Sequence, residues 1–211
     1  MASELERVMG ERRSVRSFTD EAPPDDALER VLAAAITAPS ASNKQPWRFF
    51  VVANRERIDA MAEAVKRAVE RIAVHIPSES EAAFRRYGEY FVRFEAAPRV
   101  IVPIHRPQRA LSHLVDAEID SDLRERVTAM ESDSGLVSTS LALMNLLLAA
   151  HETGLGASVM TGPLVAADEL EQLLGVPPGW SIVALVPIGY PAEQPASPGR
   201  KPLDKAIRWL R

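Results

Sequence analysis

A run of seventeen residues without a charged side chain, residues 134–150 (SGLVSTSLALMNLLLAA), constrains the fold more than any other feature of the chain. A helix that is apolar on every side must be covered all round by a sheet, by other helices or by another subunit. The run is at the lower length limit for crossing a membrane, and it carries Ser138, Thr139, Ser140 and Asn145. We therefore interpret it as a buried helix, and we expect a partner subunit to supply part of its cover.

Shorter segments on both sides of this run alternate between helical and extended patterns. A capping box of Ser3 with Glu6 predicts a short first helix that ends near Gly10. Asp25 is the predicted N-cap of a second helix, whose apolar residues keep helical spacing until Pro39. Further helices are predicted at residues 58–76, 80–97 and 167–174, and strands at residues 48–52, 99–104, 156–160 and 181–188.

This order of elements limits the fold class. Helices dominate and strands come singly between them, which predicts an α+β or α/β fold with one central sheet. The 211 residues, 46% of them hydrophobic, contain no repeat or flexible linker, so residues 1–211 are expected to form a single domain. Residues 105–122 have poor periodicity, and we interpret them as a surface excursion or lid.

Composition excludes several functions. The chain has no cysteine, so it can form neither a disulfide, a thiolate nucleophile nor an iron–sulfur cluster, and any redox chemistry must come from a bound cofactor. A net charge of −4 argues against a nucleic-acid-binding protein. The first ten residues lack the basic start and apolar stretch of a signal peptide, so we expect a cytoplasmic protein with no membrane association.

Two basic clusters stand out against this acidic background. They are Arg12, Arg13 and Arg16 near the start, and Arg200, Lys201 and Lys205 near the end. Arginine binds phosphate through paired hydrogen bonds, and Ser14 adds a neutral donor to the first cluster. The two clusters could surround one phosphate, or they could be two solvated basic edges.

The segment 38–47 (APSASNKQPW) is unusual for a loop because it combines small residues, two amide side chains and a Pro-Trp pair. Asn43 and Gln45 each offer a donor and an acceptor, which suits the edge of a heterocycle that alternates C=O and N–H groups. A structural loop with amide caps would show the same composition.

Other motifs carry no site. The Gly154-Leu155-Gly156 sequence follows a predicted helix and precedes a predicted strand, the reverse of a dinucleotide-binding turn, and Val159 stands where the third glycine would be. The four histidines have no metal-ligand spacing, so no metal site is predicted. The carboxylates lie on amphipathic helices, which is typical of a solvated charged face.

Four segments together resemble the nitroreductase family of flavoenzymes. They are ERRSVRSF near the start, APSASNKQPWRFFVV after the second helix, ETGLGASVMTGP after the apolar helix, and GYP with GRKPLD near the end. Their order and spacing match over nearly the whole chain. The resemblance implies an α+β fold in which a central, mainly antiparallel sheet is wrapped by helices. It also implies an intertwined homodimer with one FMN per subunit at the dimer interface.

The resemblance also implies roles for individual residues. Arg12, Arg13 and Ser14 match the family's phosphate- and ribityl-binding start, and Arg200 matches its C-terminal phosphate ligand. The loop that reaches the flavin from the partner subunit is matched by Pro39, Ser40, Ala41 and Asn43, with Gln45 nearby. Thr161 and Gly162 match the turn whose backbone N–H faces flavin N5. Either Arg16 or Arg93 matches the cation near flavin N1 and O2.

A family member of this kind is expected to transfer a hydride from NAD(P)H, through flavin N5, to an electron-poor small-molecule acceptor such as a nitroaromatic or a quinone. The two half-reactions would alternate at one site, and no catalytic side chain is obligatory because the cofactor does the chemistry. Two alternatives stay open at this point. One is an enzyme on the same scaffold that consumes FMN, like dimethylbenzimidazole synthase, and the other is a flavin-binding protein without enzymatic activity.

Overall fold

The apolar run lies inside the longest helix of the protein, which extends from Ser121 to Glu152 in the computed structural model. The structure describes residues 3–116 and 118–210. Its helices are α1 (Glu4–Glu11), α2 (Asp25–Ala35), α3 (Arg55–Ala73), α4 (Ser78–Gly88), α5 (Ser121–Glu152), α6 (Ala167–Leu174) and α7 (Leu203–Ala206). Short 3₁₀ helices occupy Ala41–Asn43, Glu89–Ala96, Leu111–His113 and Gly162–Ala166.

Five strands form one sheet: β1 (Trp47–Val52), β2 (Arg99–His105), β3 (Gly156–Ala157), β4 (Ser181–Ile182) and β5 (Val186–Gly189). The strand order is β1-β2-β5-β3, and β4 pairs with β2 beside β5. Every pairing between these strands is antiparallel. The α+β expectation is therefore confirmed.

Two hydrophobic clusters lie on opposite faces of the sheet, so the central strand β2 is buried on both faces. Val100, Val102 and Ile104 pack on one side with α3, α6 and the 3₁₀ helix Glu89–Ala96. Ile101 points to the other side, where α2 and α5 pack. This alternation is the two-residue period of a strand, and here both of its faces are apolar.

The helix α5 is longer than its apolar run and is not fully covered. It starts at Ser121 because the side chain of Asp120 accepts hydrogen bonds from the backbone N–H groups of Asp122 and Leu123, and a charged amphipathic half precedes the apolar one. Four apolar side chains on one face are exposed: Leu136, Val137, Leu141 and Met144. The single chain therefore covers only part of the helix, and cover by a partner subunit stays a prediction.

By length and hydropathy alone, α5 could cross a membrane. In the structure it packs against α2, β2 and β3, and 39% of its most apolar window is buried. It is therefore a core helix of this fold with one apolar face left open.

Several predicted boundaries are wrong, and each for a local reason. Pro24, not Asp25, is the N-cap of α2. The predicted helix 80–97 divides at Gly88, which packs against Val69, and continues as a 3₁₀ helix. Residues 156–160 and 181–188 form shorter strands than predicted, because the chain between the pairings turns to make single bridges such as Met160 with Leu185.

Candidate functional site

Three adjoining cavities follow the segment from Leu155 to Gly162. The Arg12 cavity, of about 410 Å³, lies at its start and includes Arg12, Arg13 and Leu147 in its lining. The α5 cavity, of about 540 Å³, shares Leu147 with it and is lined in part by α5. The Arg16 cavity, of about 300 Å³, shares Val159 with the α5 cavity. Neighbouring cavities thus share a lining residue along the chain segment that follows α5, and we refer to the three together as the groove.

The floor of the Arg12 cavity is held by the pairing of two segments. The backbone N–H of Val15 donates to the carbonyl of Ala157 at 3.2 Å, and Ser14 forms a parallel bridge with Ala157. Gly156 has no room for a side chain because a Cβ atom there would lie 2.7 Å from Val15. The arginines that follow α1 are thereby fixed beside the strand β3.

Arg12 and Arg13 line one end of this groove, and Arg200 lies near Arg12. The Nε of Arg12 is buried and has no hydrogen-bond partner among the described residues. Burial lowers the pKa of Arg12, and the nearby positive charges of Arg200 and Arg13 lower it further. In the described part of the chain, no carboxylate pairs with Arg12, Arg13 or Arg200. Such an arrangement favours an anionic ligand, which would relieve the repulsion and supply the missing acceptor.

Two carboxylates also line this cavity. Glu11 lines the cavity but forms an ion pair with Arg7. Glu193 also lines it and is exposed in the segment that leads to Arg200. Arg13 instead donates to the backbone carbonyl of Gly10 at 2.7 Å, and Arg200 donates to the carbonyl of Gly199 at 3.4 Å.

The other end of the groove is formed by Arg16 and the turn at Thr161 and Gly162. Met160 and Leu185 exchange two backbone hydrogen bonds of 2.9 Å, which fix the turn against the sheet. Gly162 lines the Arg16 cavity, and a Cβ atom there would overlap the ring of Phe91. Thr161 lines the α5 cavity. The exposed side chain of Arg16 lines the Arg16 cavity together with Gly162.

The loop with Pro39, Ser40, Ala41, Asn43 and Gln45 lies elsewhere. None of its residues lines the three cavities. The backbone N–H of Ala41 donates to Ser138 of α5 at 3.3 Å, and Ser40 Oγ accepts from the backbone N–H of Gln45 at 2.9 Å. The side chains of Pro39, Asn43 and Gln45 are exposed.

Backbone conformation marks this loop as specialised. Ser42, Asn43 and Gln45 adopt positive φ angles of 49°, 52° and 47°. Residues other than glycine rarely adopt this region, and such strain is concentrated at functional sites. The loop is therefore held in a costly shape while its amide groups face outwards.

Arg93 does not line the Arg16 cavity. Its guanidinium lies over the ring of Tyr90, 4.0 Å from the ring centre. The resemblance matches either Arg16 or Arg93 to the cation near flavin N1 and O2. In the structure Arg16 lines the groove, whereas Arg93 stacks on Tyr90.

Three features of the site were missed by sequence reasoning. Tyr87, Tyr90 and Phe91 form one side of the Arg16 cavity. The density of aromatic residues in the segment 80–97 is the signal that could have indicated them. His105 lines the α5 cavity, and burial lowers its pKa. Glu131 is buried on α5, where it accepts hydrogen bonds from the backbone of the 105–122 segment.

The fold and the groove together define an α+β protein with arginines that have no carboxylate partner, among the described residues, at one end of a groove. Residues 9–190 match the family model described as the Nitroreductase family. The chain therefore belongs to the nitroreductase family.

Curated relatives cover nearly the whole chain. An NADH dehydrogenase of Thermus thermophilus is 33% identical over 94% of this chain and 92% of its own length. An iodotyrosine deiodinase of Haliscomenobacter hydrossis is 30% identical over 97% of this chain and 87% of its own. These relatives have different reactions in their names, so the family is shown while the reaction is not.

Solved structures share the fold over the full length. A BluB-like flavoprotein from Clostridium difficile has a TM-score of 0.87 and 24% identity, with both chains covered completely. A nitroreductase with bound FMN from Desulfitobacterium hafniense has a TM-score of 0.74 and 25% identity, also over all of both chains.

Proposed function

We propose that this protein is an FMN-dependent oxidoreductase that uses NAD(P)H to reduce an electron-poor small molecule, such as a nitroaromatic or a quinone. The observation that carries the proposal is that Arg12 and Arg13 line one end of a groove, that Arg200 lies near Arg12, and that none of the three has a carboxylate partner among the described residues. The FMN found in the Desulfitobacterium hafniense nitroreductase supports this choice of anionic ligand.

The residues present fit the phosphate of FMN. The buried Nε of Arg12 lacks an acceptor, and a phosphate oxygen would provide one. Arg200 and Arg13 would add charge, and Ser14 is exposed beside them. A dianionic phosphate would convert the mutual repulsion of these arginines into binding energy.

The groove beyond the arginines suits the rest of the cofactor. Its floor, Leu155 to Ala157, is buried, and the side chain of Val15 fills the space that a Cβ atom of Gly156 would need. At the far end, Arg16 supplies a positive charge, and the turn at Thr161 and Gly162 supplies backbone N–H groups. These groups would orient the flavin ring and stabilise negative charge on it.

When bound, FMN accepts and donates a hydride at N5, which would let one site oxidise NAD(P)H and then reduce an acceptor. The protein's part is to bind, to orient and to tune the electrostatics. Accordingly, we assign no obligate catalytic role to Arg16, Thr161 or Gly162.

We further propose that the functional unit is a cytoplasmic homodimer. The open apolar face of α5, with Leu136, Val137, Leu141 and Met144, matches a self-complementary interface. The strained loop with Asn43 and Gln45 rests on α5 and lies away from its own groove, which leaves it free to reach the groove of a second copy. The acceptor and the nicotinamide would then bind where both chains meet.

The absorbance spectrum of the purified protein, recorded before and after incubation with FMN, tests cofactor binding. We expect a visible flavin band that stays with the protein during gel filtration. Anaerobic titration with NADH and NADPH should bleach this band, and addition of a quinone should restore it. A flavin-loaded protein that neither nicotinamide bleaches would overturn the oxidoreductase assignment and leave a flavin-binding protein.

Reductive dehalogenation is a second candidate, favoured by the iodotyrosine deiodinase that covers 97% of this chain. Incubation of the dithionite-reduced protein with 3-iodotyrosine separates the two candidates, because a dehalogenase releases iodide and a quinone reductase does not. Readmission of air to the reduced protein tests for a flavin-consuming enzyme. A reductase returns intact FMN, whereas such an enzyme loses its chromophore.

A further inference from the structure

The Arg16 cavity has a wall of aromatic rings that no packing requirement explains. Tyr87 and Tyr90 line it while remaining 63% and 48% exposed. Phe91, which follows Tyr90 in the chain, is only 8% exposed and belongs to the core. Large exposed rings that line a cavity are typical of a binding surface.

Neighbouring groups hold both tyrosine rings in place. Tyr87 meets Phe91 edge-on, with ring centres 4.9 Å apart and planes at 75°. Phe91 is itself fixed against Gly162, where a Cβ atom would overlap its ring. Arg93 lies over Tyr90 at 4.0 Å. Rings that are ordered before a ligand arrives lose little conformational entropy on binding.

The chemistry of the wall favours one kind of ligand. The face of a phenol ring carries a partial negative charge, so it attracts the electron-poor ring of an aromatic compound. The residues that line this cavity include Arg16 and no carboxylate. The cavity also adjoins Gly162, the end of the groove where the reacting part of the cofactor is expected.

We propose that Tyr87 and Tyr90 determine acceptor specificity and select planar aromatic acceptors over aliphatic ones. Arg93 is a positioning residue that acts through Tyr90. This inference rests on the proposed function, because it takes the acceptor to bind next to the cofactor at Gly162.

Binding of two matched ligands tests the wall without turnover. Benzoate and cyclohexanecarboxylate share a carboxylate and differ in their ring, so the ratio of their dissociation constants, measured by calorimetry on the FMN-loaded protein, isolates the aromatic contribution. We expect benzoate to bind more tightly. Tyr87→Leu and Tyr90→Leu should each reduce the ratio about three- to tenfold, and Tyr→Phe at either position should preserve it. An unchanged ratio in both leucine variants would overturn the proposal.

Steady-state kinetics test the same residues during turnover. The leucine variants should raise KM for menadione with little change in kcat. The value of kcat/KM for ferricyanide, an inorganic oxidant that has no ring to stack, should fall less than that for menadione. A leucine variant that slows both acceptors equally would contradict a specificity role.

A double-variant comparison tests Arg93. Arg93→Gln should raise KM for menadione in the native background and have no further effect when Tyr90 is already leucine. Arg86→Gln, an exposed arginine on α4, is the matched control and should change nothing. Additive effects of Arg93→Gln and Tyr90→Leu would show that Arg93 does not act through Tyr90.

The two proposals fail in different ways. If the protein binds no FMN, both the proposed function and the proposed role of Tyr87 and Tyr90 are overturned. If the protein binds FMN but the ratio of the benzoate and cyclohexanecarboxylate dissociation constants is unchanged in both leucine variants, only the role of Tyr87 and Tyr90 is overturned.

Discussion

Arg12 and Arg200, from opposite ends of the chain, lie close enough that the charge of Arg200 lowers the pKa of Arg12. Burial of Arg12 is the larger cause of the shift, and no carboxylate among the described residues offsets either effect. Folding thus brings two cations together at a cost in stability. A ligand with a phosphate group would remove that cost.

Removal of either arginine should weaken FMN binding. Arg12→Ala or Arg200→Ala would each delete a charge-assisted contact of roughly 1.5–3 kcal/mol, which lowers FMN affinity about tenfold to a hundredfold. Fluorescence titration of the FMN-free protein measures this change. Arg30→Ala, an exposed arginine on α2, is the matched control. Full flavin occupancy of both variants at dilute concentration would contradict the phosphate site.

The same pair makes an opposite prediction for the FMN-free protein. Arg200→Ala should raise the melting temperature of the FMN-free protein, because it removes one of two neighbouring positive charges. The same substitution should lower the melting temperature of the FMN-loaded protein, because less FMN binding energy stabilises the folded state. Differential scanning fluorimetry with and without FMN measures both. A variant that is less stable in both states would show that Arg200 stabilises the fold itself.

Gly162 is required by the ring of Phe91. Gly162→Ala would force a Cβ atom into that ring, and we expect a loss of about 1–3 kcal/mol in unfolding free energy. Gly10→Ala is the control with the opposite sign. It places a methyl group in open space on α1 and should stabilise by about 0.5–1 kcal/mol. Urea denaturation measures both, and equal effects of the two substitutions would contradict the packing argument.

Glu131 should make the protein sensitive to acid. Burial alone would raise its pKa, but hydrogen bonds from Ser112 and from the backbone N–H groups of Ala110 and Leu111 outweigh burial and lower the pKa from 4.5 to about 2. A carboxyl group with a lowered pKa in the folded state contributes stability above its unfolded pKa. That stability is lost as the pH falls from 4.5 towards 2.

Glu131→Gln tests this linkage. The variant should lose about 1–3 kcal/mol near neutral pH, since a charged hydrogen-bond acceptor is replaced by a weaker one. Its unfolding free energy should then fall less between pH 5 and pH 3 than that of the native protein. Parallel pH profiles would contradict the assignment. Hydrogen exchange should also be faster in residues 108–113, which Glu131 holds against α5.

A charge on the open face of α5 should prevent self-association. Leu141→Glu replaces a 43% exposed leucine and should give a monomer by sedimentation, with weaker FMN binding because the loop of a second copy is no longer supplied. Val74→Glu is the control, because Val74 is 77% exposed and lies at the C-terminal end of α3, away from α5. A native protein that is monomeric while fully loaded with FMN would contradict the homodimer.

Features that depend on neighbours along the chain could be predicted from the sequence. The period of apolar residues indicated α3, and a glycine at the end of α6 indicated its stop, confirmed by the left-handed φ of Gly175. The RVIVPI run indicated β2, which is buried on both faces. The basic clusters and the amide-rich loop could also be identified in the sequence, and their motifs indicated the nitroreductase family.

The tertiary structure alone decided which of these residues meet. The sequence contained no signal that Arg93 stacks on Tyr90 or that Glu131 is buried under backbone N–H groups. It also could not show that one face of α5 stays open, because hydropathy reports the composition of a helix and not its neighbours. Local signals follow from the preferences of a few adjacent residues, whereas a site depends on packing between segments that are distant in the chain.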